Sequence, residues 1–309
     1  VKQLGTHRSI HTIQCIKKDA LLTDALTRMN DDDFRFRHFL VTHDGKVGGK
    51  LEGIIGYRNI LKKEKDPTES FDDLTVEDAM RSFAAGKFPK PTFVHLHETD
   101  SLQTALGEFT LRLNKEVGIE LNYFYMSAIP IVDQDHRATG IITFKDVVGA
   151  MVRGEIPIPN TTVGAIMRKG EHVRVTPPTE TPRKAKHKML QLGQRDVVVV
   201  DNEQDRTFLG MVSDNERIVH SHLDIPVEDI MISHHDFEVE EFCLTSETTV
   251  AEMLSKYILT DYSKTFYDLP VISYRPNGRP HFEGLVGYRD VFLELARSNA
   301  VVYYQDVAP

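Results

Sequence analysis

Thr143 and Asp146 stand three residues apart where one apolar run ends and the next begins, in GIITFKDVVGAM (140–151). A hydroxyl followed by a carboxylate at this spacing, between a strand-like and a helix-like run, supports two kinds of chemistry. It can be a capping box, in which both side chains satisfy orphan N–H groups of the first helical turn, for about 0.5–2 kcal/mol. It can also be a hand for a ligand. The N–H groups and dipole of a helix start suit an anion such as phosphate. A carboxylate there accepts hydrogen bonds from the paired hydroxyls of a sugar, and the Thr hydroxyl reaches a neighbouring oxygen. The letters alone leave both readings open.

Other reactive side chains offer less. Among fourteen histidines, His95 and His97 alternate on a strand and share a face, and His234 and His235 are adjacent. Neither pair has a third ligand at a recognisable spacing, so no metal site is expected. Asp31, Asp32 and Asp33 lack the glycine and terminal Glu of a calcium loop and read as a solvated helix end. Arg183, Lys184, Lys186, His187 and Lys188 form a basic helix face, suited to local pairing or to an acidic partner. No nucleophile elbow, Walker loop or Cys–His pattern is present, so the chain is read as not an enzyme.

Composition narrows the class. A chain of 309 residues is long enough for two domains and buries about 75% of its unfolded surface. It is 40% hydrophobic and 27% charged, with 37 basic and 46 acidic residues for a net charge of −9. That balance argues against a general affinity for nucleic acid. Cys15 and Cys243 are isolated in sequence, which points to a reducing interior rather than a disulfide framework. No apolar stretch approaches the ~20 residues of a membrane span, no signal peptide opens the chain, and a start at Val1 suggests trimming. The expected location is the cytoplasm.

What must position Thr143 and Asp146 is visible because the chain repeats itself. GIIGYRNIL begins at Gly53, GIITFKDVV at Gly140, GMVSDNERI at Gly210 and GLVGYRDVF at Gly284, at intervals of 87, 70 and 74 residues. Before each lies a strand-like run, HFLVTHD (38–44), AIPIVDQD (128–135), VVVVDN (197–202) and LPVIS (269–273), followed by a turn-rich loop. Each pair predicts a hairpin. TVEDAM (75–80), TVGAIM (162–167) and PVEDIM (226–231) punctuate the chain between units. Upstream of each hairpin a further strand and a helix are expected. FVHLH (93–97) precedes a helix with apolar residues at 102, 105, 106, 109 and 113, capped by Asp100 or Ser101. The unit is therefore β-α-β-β-α. Units two and four carry longer insertions before their hairpins than one and three, which suggests two similar pairs split near EIPIPNTT (155–162).

With this punctuation and these junctions, the chain resembles tandem CBS-domain proteins, in the four-repeat arrangement of the AMP-activated protein kinase gamma subunit and its stand-alone prokaryotic relatives. The resemblance implies an α+β fold of four β-α-β-β-α CBS repeats paired into two Bateman modules. Module 1 would span 1–154, with repeats of about 1–66 and 67–154. Module 2 would span 155–309, with repeats of about 155–222 and 223–309. It also implies an adenine nucleotide (AMP, ADP or ATP) as ligand, no required cofactor, a regulatory role in energy sensing, and pairing into homodimers or with a further protein. The alternatives are a ligand-free scaffold or the regulatory subunit of an enzyme complex.

The family signature falls on Thr143 and Asp146, with Lys145 between them. Ala128 and Ile129 match the segment flanking adenine, and Arg37 and Arg195 match an arginine that contacts phosphate in the kinase subunits. The other copies depart from the signature. Asn59 ends a junction with no hydroxyl, and Asp290, beside Arg289, keeps the carboxylate but has Gly287 in place of the hydroxyl. Ser213 opens a plain capping box with Glu216. The expected order of binding is 143–146, then 287–290, then 56–59, then 213–216.

Overall fold

Runs of β-branched and aromatic residues broken by Gly, Asp and Asn form the four predicted hairpins. The strands pair antiparallel as β2 (His38–Thr42) with β3 (Leu51–Gly56) and β6 (Ala128–Val132) with β7 (Ala138–Thr143). β9 (Asp196–Val200) pairs with β10 (Phe208–Ser213), and β12 (Asp268–Tyr274) with β13 (Pro280–Gly287). Each ladder carries one register shift near the loop, so the bulge recurs with the repeat. The computed structural model describes residues 13–29, 38–63, 71–82, 95–114, 128–191, 194–213, 225–233, 243–259 and 267–303. Residues 1–111 with 126–147 form one unit, and residues 112–125 with 148–309 form the other.

The first unit holds the first repeat and most of the second, whose two helices end in the other unit. The first runs β1 (Cys15–Ile16), α1 (Leu22–Met29), β2, β3, α2 (Tyr57–Lys63). After α3 (Val76–Ala79) and β4 (Arg81–Ser82), the next runs β5 (Leu96–His97), α4 (Leu102–Asn114), β6, β7, α5 (Phe144–Val152). In the second unit, α6 (Val163–Ile166) precedes β8 (Val175–Thr176), α7 (Pro182–Gln191), β9 and β10. β11 (Ile232–Ser233) then precedes α8 (Val250–Leu259), β12, β13 and α9 (Tyr288–Tyr303). The leading strand of each repeat lies parallel to the first hairpin strand; in the fourth it shrinks to a single bridge, Leu244 to Val271. The expected β-α-β-β-α order is thus observed in the first two repeats and, with that bridge for its leading strand, in the fourth; in the third it is seen as far as β10, and residues 214–224 lie outside those described. Helix starts follow the sequence: the Ser101 hydroxyl accepts the Thr104 N–H at 3.0 Å, while Asp100 accepts the His97 N–H.

Pairing within each unit comes from the punctuation segments. The Val76 and Glu77 N–H groups donate to the Ala20 and Lys18 carbonyls of the first repeat, both at 2.8 Å. In the second unit the exchange is mutual. Val163 and Gly164, which precede repeat three, donate to Thr248 and Ser246 of repeat four; Val227 and Glu228, which precede repeat four, donate to Glu180 and Pro178 of repeat three. Val76, Val163 and Val227 are fully buried, and Val227 sits in the core with Ala185, Met189, Val197, Val199 and Val212. The residues just after each segment add an edge to the partner hairpin: Arg81 faces Ile54, Ile232 faces Met211 and Arg168 faces Leu285.

This crossing explains the glycine that opens each junction motif in the second unit. A Cβ on Gly284 would lie 2.5 Å from the Arg168 carbonyl, and one on Gly210 would meet the Ile232 carbonyl. The hairpin tips meet as well. His136 and Arg206, the two non-glycine residues at positive φ among those described, aim their carbonyls at Leu51 N–H (3.0 Å) and Phe282 N–H (2.9 Å) of the paired repeats.

Gly284→Ala should therefore cost about 1–3 kcal/mol in urea unfolding, as overpacking against backbone does. Gly107→Ala is the control: it lies mid-helix in α4 with nothing within 4 Å of a new Cβ, and should gain about 0.5–1 kcal/mol.

Candidate functional site

Each repeat brings the first residue of one hairpin strand opposite the last residue of the other, and in the first, second and fourth repeats the closing helix begins at the next residue. The facing pairs are His38 with Gly56, Ala128 with Thr143, Asp196 with Ser213 and Asp268 with Gly287. Strand pairing thus fixes which side chain fills the space in front of each junction, and the four copies fill it differently.

At the second junction the capping box is fully formed. Asp146 Oδ2 accepts the Thr143 N–H at 2.7 Å and the Thr143 hydroxyl at 2.6 Å, while Thr143 Oγ1 accepts the Asp146 N–H at 3.3 Å. Thr75 with Asp78 and Thr249 with Glu252 make the same bonds at helix starts elsewhere, and the Asp78 and Glu252 carboxyls are held below their ordinary pKa by the threonine backbone N–H and then the hydroxyl. The cap chemistry predicted for these letters is thus present. What distinguishes 143–146 is its surroundings. Ala128, the smallest side chain at its position in the four repeats, lies opposite; Ile129 is buried beside it; Lys145 is exposed on the first turn of α5. Phe144 packs its ring 4.8 Å from that of Phe109 and anchors the turn.

The fourth junction is occupied by an ion cluster of the chain itself. Arg168, just past TVGAIM, donates from Nε to Asp290 at 3.1 Å and from an Nη to Asp268 at 2.5 Å. Asp290 also accepts the Gly287 N–H at 2.8 Å and is only 3% exposed. A side chain at 287 would collide with the Asp268 carboxylate, so glycine makes room for this charge rather than for open space. Burial opposes the Arg168 charge, yet the two carboxylates hold it firmly ionised, its pKa raised. Burial pushes the Asp290 carboxyl pKa up against the lowering influence of Arg168, because one guanidinium faces two acids. Arg289, its neighbour, is also in this first turn.

The remaining predicted residues scatter. At the first junction Asn59 caps by accepting the Gly56 N–H at 3.0 Å, and a Cβ on Gly56 would lie 3.1 Å from the His38 ring. At the third, Ser213 is buried at the end of β10, and residues 214–216 lie outside those described, as does Arg37. Arg195 lays its guanidinium 4.0 Å over the Tyr267 ring, while Asp196 accepts the Tyr267 and Asp268 N–H groups at 2.8 Å each. The starts of β9 and β12 are therefore stitched together by the residue expected to bind phosphate and its neighbour. Burial pushes the Cys15 thiol up to about 11 and the Cys243 thiol to about 12, so both stay protonated and inert. Arg168, Asp196 and Asp268 were not signalled in the sequence; the one hint was the position of Arg168 immediately after a punctuation segment.

A fold of paired β-α-β-β-α repeats whose closing helices start on capped strand ends defines a class of small regulatory modules. Residues 1–66 and 76–153 match the family model for the CBS domain, so these two segments are CBS domains. Protein MJ1225 from Methanocaldococcus jannaschii, whose structure was described as that of a candidate archaeal homologue of gamma-AMPK, is similar over 96% of this chain and 99% of its own. The two share 19% identity with a TM-score of 0.65. An uncharacterized conserved protein from Pyrococcus horikoshii is similar over 94% of this chain and 97% of its own, at 19% identity and a TM-score of 0.55. These likenesses extend the CBS-repeat fold through the second half. A sequence comparison with curated proteins finds no match.

Removing Arg168 tests the ion cluster. A raised Asp290 pKa means that its contribution to stability is present at low pH and lost as pH rises through the folded value. Without the guanidinium this penalty grows. Arg168→Met should cost about 3–5 kcal/mol near neutral pH, the usual effect of leaving buried charge uncompensated. The loss in urea unfolding should shrink as pH is lowered and the Asp290 carboxyl takes up a proton.

Proposed function

We propose that this chain is a non-enzymatic regulatory protein that binds an adenine nucleotide at the 143–146 junction of its first unit. Residues 1–154 and 155–309 act as two Bateman modules. The observation that supports this most is the contrast among the facing pairs. In the second unit the carboxylates of Asp196 and Asp268 stand opposite the last strand residues, whereas the residue opposite Thr143 is Ala128, with a methyl side chain. Asp146 offers a carboxylate to the two ribose hydroxyls, the N-terminus of α5 offers N–H groups to phosphate, and Lys145 supplies an exposed cation. Ala128 and Ile129 form the apolar wall for adenine.

Capping and binding use different capacities of the same groups, because a carboxylate has about four acceptor sites and the cap employs one oxygen. Asp290 and Arg289 are assigned to the ion cluster, and Asn59, Ser213 and Arg195 to local structure. Ligand binding acts by population shift: the nucleotide favours the arrangement of paired repeats that completes its contacts, and a partner protein or second copy reads that arrangement. Inverting a 1:99 equilibrium requires about 10⁴-fold preferential binding, so weaker ligands only bias it.

Asp146→Asn separates the two roles. The amide oxygen still accepts from Thr143, so stability should change by less than about 1 kcal/mol in urea unfolding. Calorimetric titration with AMP, ADP and ATP should show at least tenfold weaker binding than the parent protein. No heat with any of the three for the parent protein, or an unchanged affinity in the variant, would favour the ligand-free scaffold.

A further inference from the structure

A third histidine joins the pair that shares a face of β5. His136 lies on the turn between β6 and β7, far from His95 and His97 in sequence. β5 runs parallel to β6, with His97 in register with Val132, so the turn that follows β6 comes back beside the end of β5. Asp133 braces that turn by accepting the Asp135 and Arg137 N–H groups at 2.9 and 2.8 Å. His136 itself adopts a left-handed φ of 57°. The three rings meet edge to face or tilted, with centroids 5.4, 5.5 and 5.7 Å apart, and one nitrogen of each lies within 4.8 Å of the others.

We propose that His95, His97 and His136 bind one divalent transition-metal ion of the zinc class, with a fourth position left for water or an added ligand. Three imidazoles suit zinc, copper and nickel rather than magnesium or calcium, which prefer oxygen. Zinc–nitrogen bonds of about 2 Å in a tetrahedron place ligand atoms about 3.3 Å apart. Rotations of the half-buried His95 and His97 rings and the exposed His136 ring, each moving a nitrogen by roughly an ångström, close the site. The backbone is fixed in advance: Asp100 accepts the His97 N–H at 2.7 Å, and the His136 carbonyl accepts the Leu51 N–H. A bound ion would thus tie the β6–β7 turn, which carries a contact between repeats one and two, to the start of α4.

The test is calorimetric titration of the untagged protein with zinc chloride, paired with the visible spectrum of the cobalt(II) form. One equivalent per chain should bind, and cobalt should give the intense absorption of a tetrahedral site. His97→Ala and His136→Ala should each lower zinc affinity at least tenfold with unchanged circular dichroism, while His172→Ala, an exposed histidine outside the cluster, should leave it unaltered. No zinc binding by the parent protein, or equal binding by the cluster variants, overturns the proposal. Because the readouts need no nucleotide, they stand apart from the fate of the 143–146 junction.

Discussion

A repeat of this protein is incomplete without its neighbour. The hairpins of repeats one, three and four each take a backbone edge from a segment that precedes the paired repeat, and a valine of each such segment is fully buried. Hydrogen-bond satisfaction enforces the exchange. The first two N–H groups of each punctuation turn, those of Val76 and Glu77, Val163 and Gly164, and Val227 and Glu228, find their carbonyls on the paired repeat. In the second unit two-fold reciprocity follows, and with it the meeting of hairpin tips and strand starts. Every candidate site in the chain lies on that shared frame.

The frame also decides how the four junctions diverge. Identical backbone registers place His38, Ala128, Asp196 and Asp268 at equivalent points, so one side chain at each sets the character of the space in front of the helix. In the second unit, acids at this point are met by Arg168 and by backbone N–H groups, which converts a ligand position into structural cement. Such a buried ion cluster contributes specificity more surely than stability, since its desolvation offsets most of its attraction. It fixes Met167–Arg168 against β13 and so helps lock repeat three to repeat four. In the first unit an alanine keeps the position small.

Much of this was legible in the sequence, for identifiable reasons. Repetition exposed the hairpins, the β-α-β-β-α order and the importance of the TVEDAM-like segments, because local pattern and fold agree there. The capping letters at 143–146 were read correctly as compatible with a helix start. What sequence could not show was anything set by pairing between repeats. The 287–290 junction ranked second for binding with glycine in place of the hydroxyl, but the space at Gly287 is filled by Asp268, held by an arginine 100 residues earlier. Arg195 read as a phosphate cation, but the Tyr267 ring lies beneath it. His136 carried no metal spacing, since its approach to His95 and His97 depends on a parallel strand pair. Local spacing reports helices and turns; register across a sheet does not appear in it.

The central claim is that one junction of the four, Thr143 to Asp146, remains a hand for a nucleotide while the fourth has become a salt-bridged lock. The most direct measurement is the crystal structure of the chain grown with saturating AMP. The account predicts ligand density with the ribose hydroxyls on Asp146, the base against Ala128 and Ile129, and Arg168 still bound to Asp268 and Asp290. Density at the 287–290 junction with Arg168 displaced, or none at 143–146, would contradict it.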